Sequence, residues 1–170
     1  MPRFHTDKTL EHAERIMLVS AHFADSHTGS SETRERAFQA ACTEAAELVR
    51  ATGGELVCQH TVKRDKAHPA LLVGTGKAEE LVQLVRQNNI ELVVFNHELS
   101  PTQERNLERA LQCRVLDRVG LILAIFAQRA QSQEGRLQVE LAQLTHLAGR
   151  LVRGYGHLQS QKGGIGLKGP

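Results

Sequence analysis

Acidic residues stop at Glu140. Beyond it the chain has no Asp or Glu, while Arg150, Arg153, Lys162 and Lys168 remain, so residues 141–170 carry +4 with histidine neutral. A stretch with no carboxylates of its own has a polyanion as its natural partner. Aromatic residues are scarce at 4%, and Tyr155 is the sole tyrosine. That excludes the stacked-ring platform of RRM-type RNA readers. Cysteine is limited to Cys42, Cys58 and Cys113, odd in number and without a C-x-x-C pair. Neither a disulfide framework nor a zinc knuckle follows, and the usage fits a reducing cytoplasm. No apolar run approaches the length of a membrane span, and Met1-Pro2-Arg3-Phe4-His5 leads into a polar stretch and not a signal-peptide core. The expectation is a cytoplasmic chain with no membrane insertion. Nine histidines include no H-x-x-x-H or H-E-x-x-H pair, so no metal site is expected.

What is present is enough for one ordinary domain and an appendage. The chain has 170 residues, 41% hydrophobic and 24% charged, with a net charge of only +2. The distribution is more informative than the sum, because residues 1–116 carry −2 and residues 117–170 carry +4.

Apolar patterning predicts alternating strands and helices. Ile16-Met17-Leu18-Val19 is a short continuous run with β-branched members, as in a strand buried on both faces. Residues 24–31 form a polar linker. Phe38, Ala41, Cys42, Ala45, Leu48 and Val49 then recur at helical spacing until Gly53-Gly54 stops the helix. Strands are predicted at 55–62 and Leu92–Phe95, with Ala70–Val73 a short strand or extended piece between them. Ala78, Leu81, Val82 and Val85 give a helix that Asn88-Asn89 closes. Ser100 is an N-cap, with Pro101 at the first helical position and Gln103 completing a capping box, for a helix that runs to about Gln112. Val115-Leu116 is the last strand. The predicted fold class is α/β, a small mostly parallel sheet flanked by helices.

From Arg118 to Arg153 there is no proline, and Leu137, Leu141, Leu144, Ala148 and Leu151 step by four, three, four and three. Such a narrow seam is of coiled-coil type and needs a partner helix. Gly120, Gly135 and Gly149 weaken this helix, with a bend expected between Ser132 and Gly135. It ends in a glycine-rich basic segment, Lys162-Gly163-Gly164-Ile165-Gly166-Leu167-Lys168. Glycines there let the backbone approach another molecule closely, and the two lysines offer ammonium groups to phosphates. Arg150, Arg153 and Tyr155 extend the same surface, the tyrosine available to stack on an unpaired base. Taken alone, the pattern equally describes a flexible linker after a helix whose basic end complements the helix dipole.

Nucleotide chemistry finds little support. Gly76-Lys77 is the only Gly-Lys pair after a strand-like run, but Leu71 stands where the first glycine of a phosphate loop belongs and Ala78 replaces the magnesium-binding hydroxyl. His97-Glu98 and Asp117 fall at predicted strand ends, where α/β ligand clefts form. With Gly74 and Lys77 they define an alternative reading, a stand-alone α/β nucleotide- or small-molecule-binding domain. No nucleophile elbow supports a hydrolase, and turns and caps account for these residues. No catalytic residue and no cofactor is assigned to the chain.

Five blocks, in order, carry a resemblance: Val73-Gly74-Thr75-Gly76-Lys77, Leu99 to Glu108, Asp117 to Ala130, Glu134 to Leu144, and Arg150 to Gly154 leading into the glycine-rich segment. Together they closely resemble the N-terminal region of HflX-type GTPases, from about Arg15 onward. The resemblance implies the following organisation: an extension at 1–14, an α/β subdomain at 15–116, a long helix at 117–153 belonging to a coiled-coil helical subdomain, and the loop at 154–170. It implies that a second antiparallel helix and a G domain, which holds GTP and magnesium, follow beyond Pro170. On that basis the chain itself is expected to be a binding module and not an enzyme. Its implied partner is the large ribosomal subunit, with Arg150, Arg153, Tyr155, Lys162, Gly163, Gly164, Ile165, Gly166, Leu167 and Lys168 meeting rRNA near the peptidyl transferase centre. The parent would split or rescue ribosomes under stress. A bare seam would also permit weak homodimers.

Overall fold

The computed structural model describes residues 14–24 and 30–161, with side chains as far as residue 150. Four strands, β1 (Arg15–Phe23), β2 (Glu55–Arg64), β3 (Leu92–Phe95) and β4 (Arg114–Leu116), form one sheet in the order β2-β1-β3-β4. Every pairing is parallel. The helices are α1 (Ser31–Ala51), α2 (Thr75–Gln87), α3 (Pro101–Leu111), α4 (Arg118–Arg129) and α5 (Gln133–Gln161). The α/β class and parallel sheet are as the alternating pattern predicts.

Period-two geometry explains why β1 and β3 read as unbroken apolar runs. Met17, Val19, Val93 and Phe95 point to one face and pack with Leu81 and Val85 of α2 and Leu107 and Leu111 of α3. Ile16, Leu18, Leu92 and Val94 point to the other and pack with Ala45, Ala46 and Val49 of α1 and Leu121, Ala124 and Ile125 of α4. Each face has its own layer of helices, so an alternating polar residue has no place to go.

Local signals act where expected at the caps. Ser100 Oγ accepts from the Gln103 N–H at 3.1 Å, and Gln103 Oε1 accepts from the Ser100 N–H at 2.9 Å, a complete capping box. The Gln103 amide then donates to His68 O at 2.9 Å, fastening the preceding loop to α3.

That loop differs from expectation. Ala70–Val73 adds no strand to the sheet; instead His68 and Leu72 form an isolated antiparallel bridge, with Leu72 at φ 58°. Leu72 and Val73 are buried in the core beneath the loop, which is why the segment reads as strand-like. Gly74 follows at φ 85° and opens α2, with the Arg64 guanidinium donating to Val73 O at 2.8 Å over it. A Cβ at this position would run into Arg64 and also sit in the left-handed region. Gly74→Ala is therefore expected to lower stability by about 1–2 kcal/mol in a urea melt. A change within experimental error would mean that the turn relaxes freely.

The largest departure lies in the predicted long helix. The expected bend is a full break: α4 ends at Arg129, Ala130 is extended at φ −68° and ψ 110°, and α5 starts at Gln133. α4 belongs to the sheet's packing through Leu121, Ala124 and Ile125, so residues 118–129 complete the α/β core and do not begin a separate rod. The long helix is α5 alone.

Candidate nucleic-acid interface

Strand direction sets where the arm points. α4 starts at the carboxyl end of β4, capped by Asp117, and runs back to the amino edge, where the Gln128 amide donates to Thr52 O at 3.1 Å. After the break, α5 turns round and returns to the carboxyl edge. Its Arg150 side chain closes the path: Nη1 donates to Leu99 O at 2.8 Å and to Asp117 Oδ2 at 3.2 Å, and Nη2 donates to Glu104 Oε2 at 2.6 Å. The helices thus form an antiparallel hairpin. From Arg150 to Gln161 the helix continues for about 16 Å at 1.5 Å per residue.

The face that α5 turns to the domain is mostly polar. Between Gln133 and Arg150 only Gly135, Val139, Gln143, His146 and Arg150 are half-buried, stepping by four, four, three and four. Leu137, Leu141 and Leu144 are exposed, Leu141 by 65%. The described leucines of the predicted seam therefore face away from the α/β core as an exposed apolar stripe.

Of the residues expected to meet RNA, Arg150 is the one whose side chain the structure describes, and it is committed internally. Its side chain is 13% exposed, against 15% for Glu104 and 2% for Asp117. To reach a phosphate it would have to leave two carboxylates and a carbonyl, so its expected place at the RNA surface gives way to an anchoring one. Sequence spacing could not show this, because its partners lie 33, 46 and 51 residues away. The side chains of Arg153 and Tyr155, and residues Lys162, Gly163, Gly164, Ile165, Gly166, Leu167 and Lys168, lie outside those described.

The alternative strand-end site is taken up by structural bonds. His97 Nε2 accepts from the Ala21 N–H at 2.9 Å, and its ring meets Phe23 edge to face. Lys77 pairs with Glu80 on its own helix at 2.8 Å. Asp117 Oδ1 accepts from the Gly120 N–H at 2.8 Å as the N-cap of α4, while Oδ2 takes the Leu99 N–H at 3.2 Å. Between the loop after β3 and α5, a cleft of about 170 Å³ is lined by Glu98, Thr145, His146, Gly149 and Arg150. Among the described residues no group of three or more His, Cys, Asp or Glu side chains is placed to hold a metal ion. Nor is any described helix long and apolar enough to cross a membrane.

Burial lowers the pKa of His97 below its ordinary value of 6.5, and the nearby Arg118 charge adds to this. The unfolded chain then takes up this proton at a higher pH than the folded chain does. Stability is full above about pH 6.5 and declines as pH falls through that value toward the folded pKa. Thermal unfolding at pH 7.5 and 5.5 is expected to show a drop that His97→Gln reduces. An equal drop in both proteins would assign it to other groups.

Comparison with known proteins defines the class. Residues 39–127 match the family described as GTP-binding GTPase N-terminal, and residues 129–170 match the GTP-binding GTPase Middle Region. The junction between the two falls in the last turn of α4, just before the break. The chain belongs to the HflX family of GTPases, matching its N-terminal and middle regions. GTPase HflX of Escherichia coli (strain K12) is 58% identical over 123 residues, 72% of this chain and 29% of that protein. GTPase HflX of Akkermansia muciniphila is 40% identical over 154 residues, 91% of this chain and 34% of that protein. The chain thus spans about a third of the length of these relatives. A GTP-binding protein from Sulfolobus solfataricus, solved in complex with GDP, has a similar fold at TM-score 0.59, 21% identity, and coverage of 88% of this chain and 41% of that one.

Proposed function

We propose that this chain is the ribosome-binding portion of an HflX-like GTPase that acts on the large ribosomal subunit, by subunit splitting or rescue. In this reading the α/β domain is a rigid shoulder, α5 is the arm, and residues 154–170 are the tip that meets rRNA. The supporting observation is the charge pattern of the sequence from arm to tip: carboxylates end at Glu140, and Arg153, Lys162 and Lys168 follow. With Arg150 used as an anchor, these three cations and the glycine-loosened backbone supply the contact, and Tyr155 supplies a stacking surface. GTP and magnesium belong to the G domain of the parent, and this portion contributes binding without catalysis.

Such binding is electrostatic in large part and falls with salt. Full-length protein of this sequence is expected to co-sediment with large ribosomal subunits at low salt and to lose them steeply as salt rises. Equal recovery with and without subunits at low salt would overturn the reading.

The exposed leucines favour a companion proposal, that a second helix of the parent covers the stripe. In its absence, two copies can pair weakly through Leu137, Leu141 and Leu144. Sedimentation of the 170-residue chain is expected to show mass rising with concentration, and Leu141→Glu is expected to abolish the rise. A 170-residue chain that stays strictly monomeric at high concentration would contradict pairing.

A further inference from the structure

We infer that Arg150 is the positioning residue that sets the angle of the α5 arm, as an ionic pin at the carboxyl edge of the sheet. The inference concerns the arm itself and stands whatever the tip binds. Two observations combine to give it. First, among the described side chains of α5 the face that touches the domain contributes a single sizeable apolar one, Val139, while Leu137, Leu141 and Leu144 face outward. Hydrophobic packing therefore gives the arm little hold on the domain. Second, the far contact is a partly buried, charge-assisted cluster in which Arg150 bridges Glu104 in the first turn of α3, the cap residue Asp117 of α4, and the Leu99 carbonyl between them.

Lever geometry makes that contact decisive. The arm joins the domain at the break of residues 130–132, and the pin lies about 25 Å along α5, whereas Gln161 lies about 42 Å along it. If the pin opens, a pivot of about 10° at the break displaces the end of the helix by roughly 7 Å at this length. Arg150 touches elements from both helical layers, since α3 packs on one face of the sheet and α4 on the other. It thus references the arm to the whole core and not to one neighbour. The planar guanidinium suits this task, because its fork reaches two carboxylates and a carbonyl at fixed angles, which an ammonium cannot reproduce.

The test measures the arm and not its binding. Nitroxide labels at Glu47 on α1 and Ala148 near the far end of the described part of α5, both exposed, are introduced into the 170-residue chain with Cys42, Cys58 and Cys113 replaced, and the distance between them is measured by pulsed electron resonance. A second label pair on α1 and α2 reports on the core. The parent is expected to give one narrow distance. Arg150→Met is expected to at least double the width of the α1–α5 distribution while leaving the α1–α2 distance unchanged, and Arg150→Lys is expected to fall between. Glu104→Gln, which spares the Asp117 cap, is expected to broaden the distribution as well, and serves if Arg150→Met does not fold. An α1–α5 distribution as narrow as the parent's in a folded Arg150→Met or Glu104→Gln variant would overturn the assignment.

Discussion

Asp117→Ala is expected to cost about 3–5 kcal/mol of folding stability, the range for breaking a buried ion pair from one side. Three bonds go at once: the cap to Gly120, the tie to Leu99 and one partner of Arg150. The cap alone accounts for about 1 kcal/mol. The larger part comes from leaving the Arg150 charge with one of its two described carboxylate partners gone and Glu104 remaining. Asp117→Asn separates the two effects, since Asn caps about as well as Asp but brings no charge. In a urea titration the Ala variant is expected to unfold at a midpoint lower by roughly 1–2 M, given a typical denaturant slope. The Asn variant should fall between it and the parent. If Asp117→Ala costs no more than an ordinary cap, the carboxylate cluster does not hold the hairpin together.

The second large effect concerns the proposed tip. Charge reversal by Lys162→Glu and Lys168→Glu together is expected to weaken binding of the full-length protein to large subunits by about tenfold or more at moderate salt. It is also expected to flatten the dependence of affinity on salt, by roughly 0.7–0.9 for each phosphate that is no longer neutralised. Both changes must appear together. Weaker affinity with an unaltered salt slope would indicate misfolding of the arm, with phosphate neutralisation intact, and the α5 pin variants provide that comparison.

Much of the fold was legible because its determinants are local. The apolar runs at Ile16–Val19 and Leu92–Phe95, the Ser100–Gln103 box and the glycines after α1 each act within a few residues, and each forms the predicted element or stop. Ala70–Val73 misled because an apolar tetrapeptide that plugs the core looks like one that pairs in a sheet. The break near Ser132–Gly135 was readable from weak helix formers, but the reversal of α5 was not. That reversal depends on Arg150 finding Glu104, Asp117 and Leu99, groups distant in sequence, and nothing in the local pattern of Arg150 distinguishes an anchor from a phosphate contact. The leucine seam was readable in its spacing, whereas its outward orientation followed from which polar residues α5 turned inward.

Two kinds of positive charge thus follow Glu140 in the sequence. Arg150 is neutralised by carboxylates from α3 and the α4 cap and fixes where the arm lies. In the proposed function, Arg153, Lys162 and Lys168, with no acidic residue after Glu140, are the charges that face the partner. The division matters for any mutational scan. Arg150 variants should move stability and arm angle, and lysine variants should move affinity and its salt slope.

The most direct measurement is photocrosslinking from a benzophenone amino acid placed at Ile165 in the full-length protein bound to large ribosomal subunits. The account predicts that crosslinks map to rRNA at the peptidyl transferase region and disappear with the Lys162→Glu and Lys168→Glu double variant. A bound protein that gives no crosslink from Ile165 to rRNA, with the probe left reacting with solvent, would contradict it.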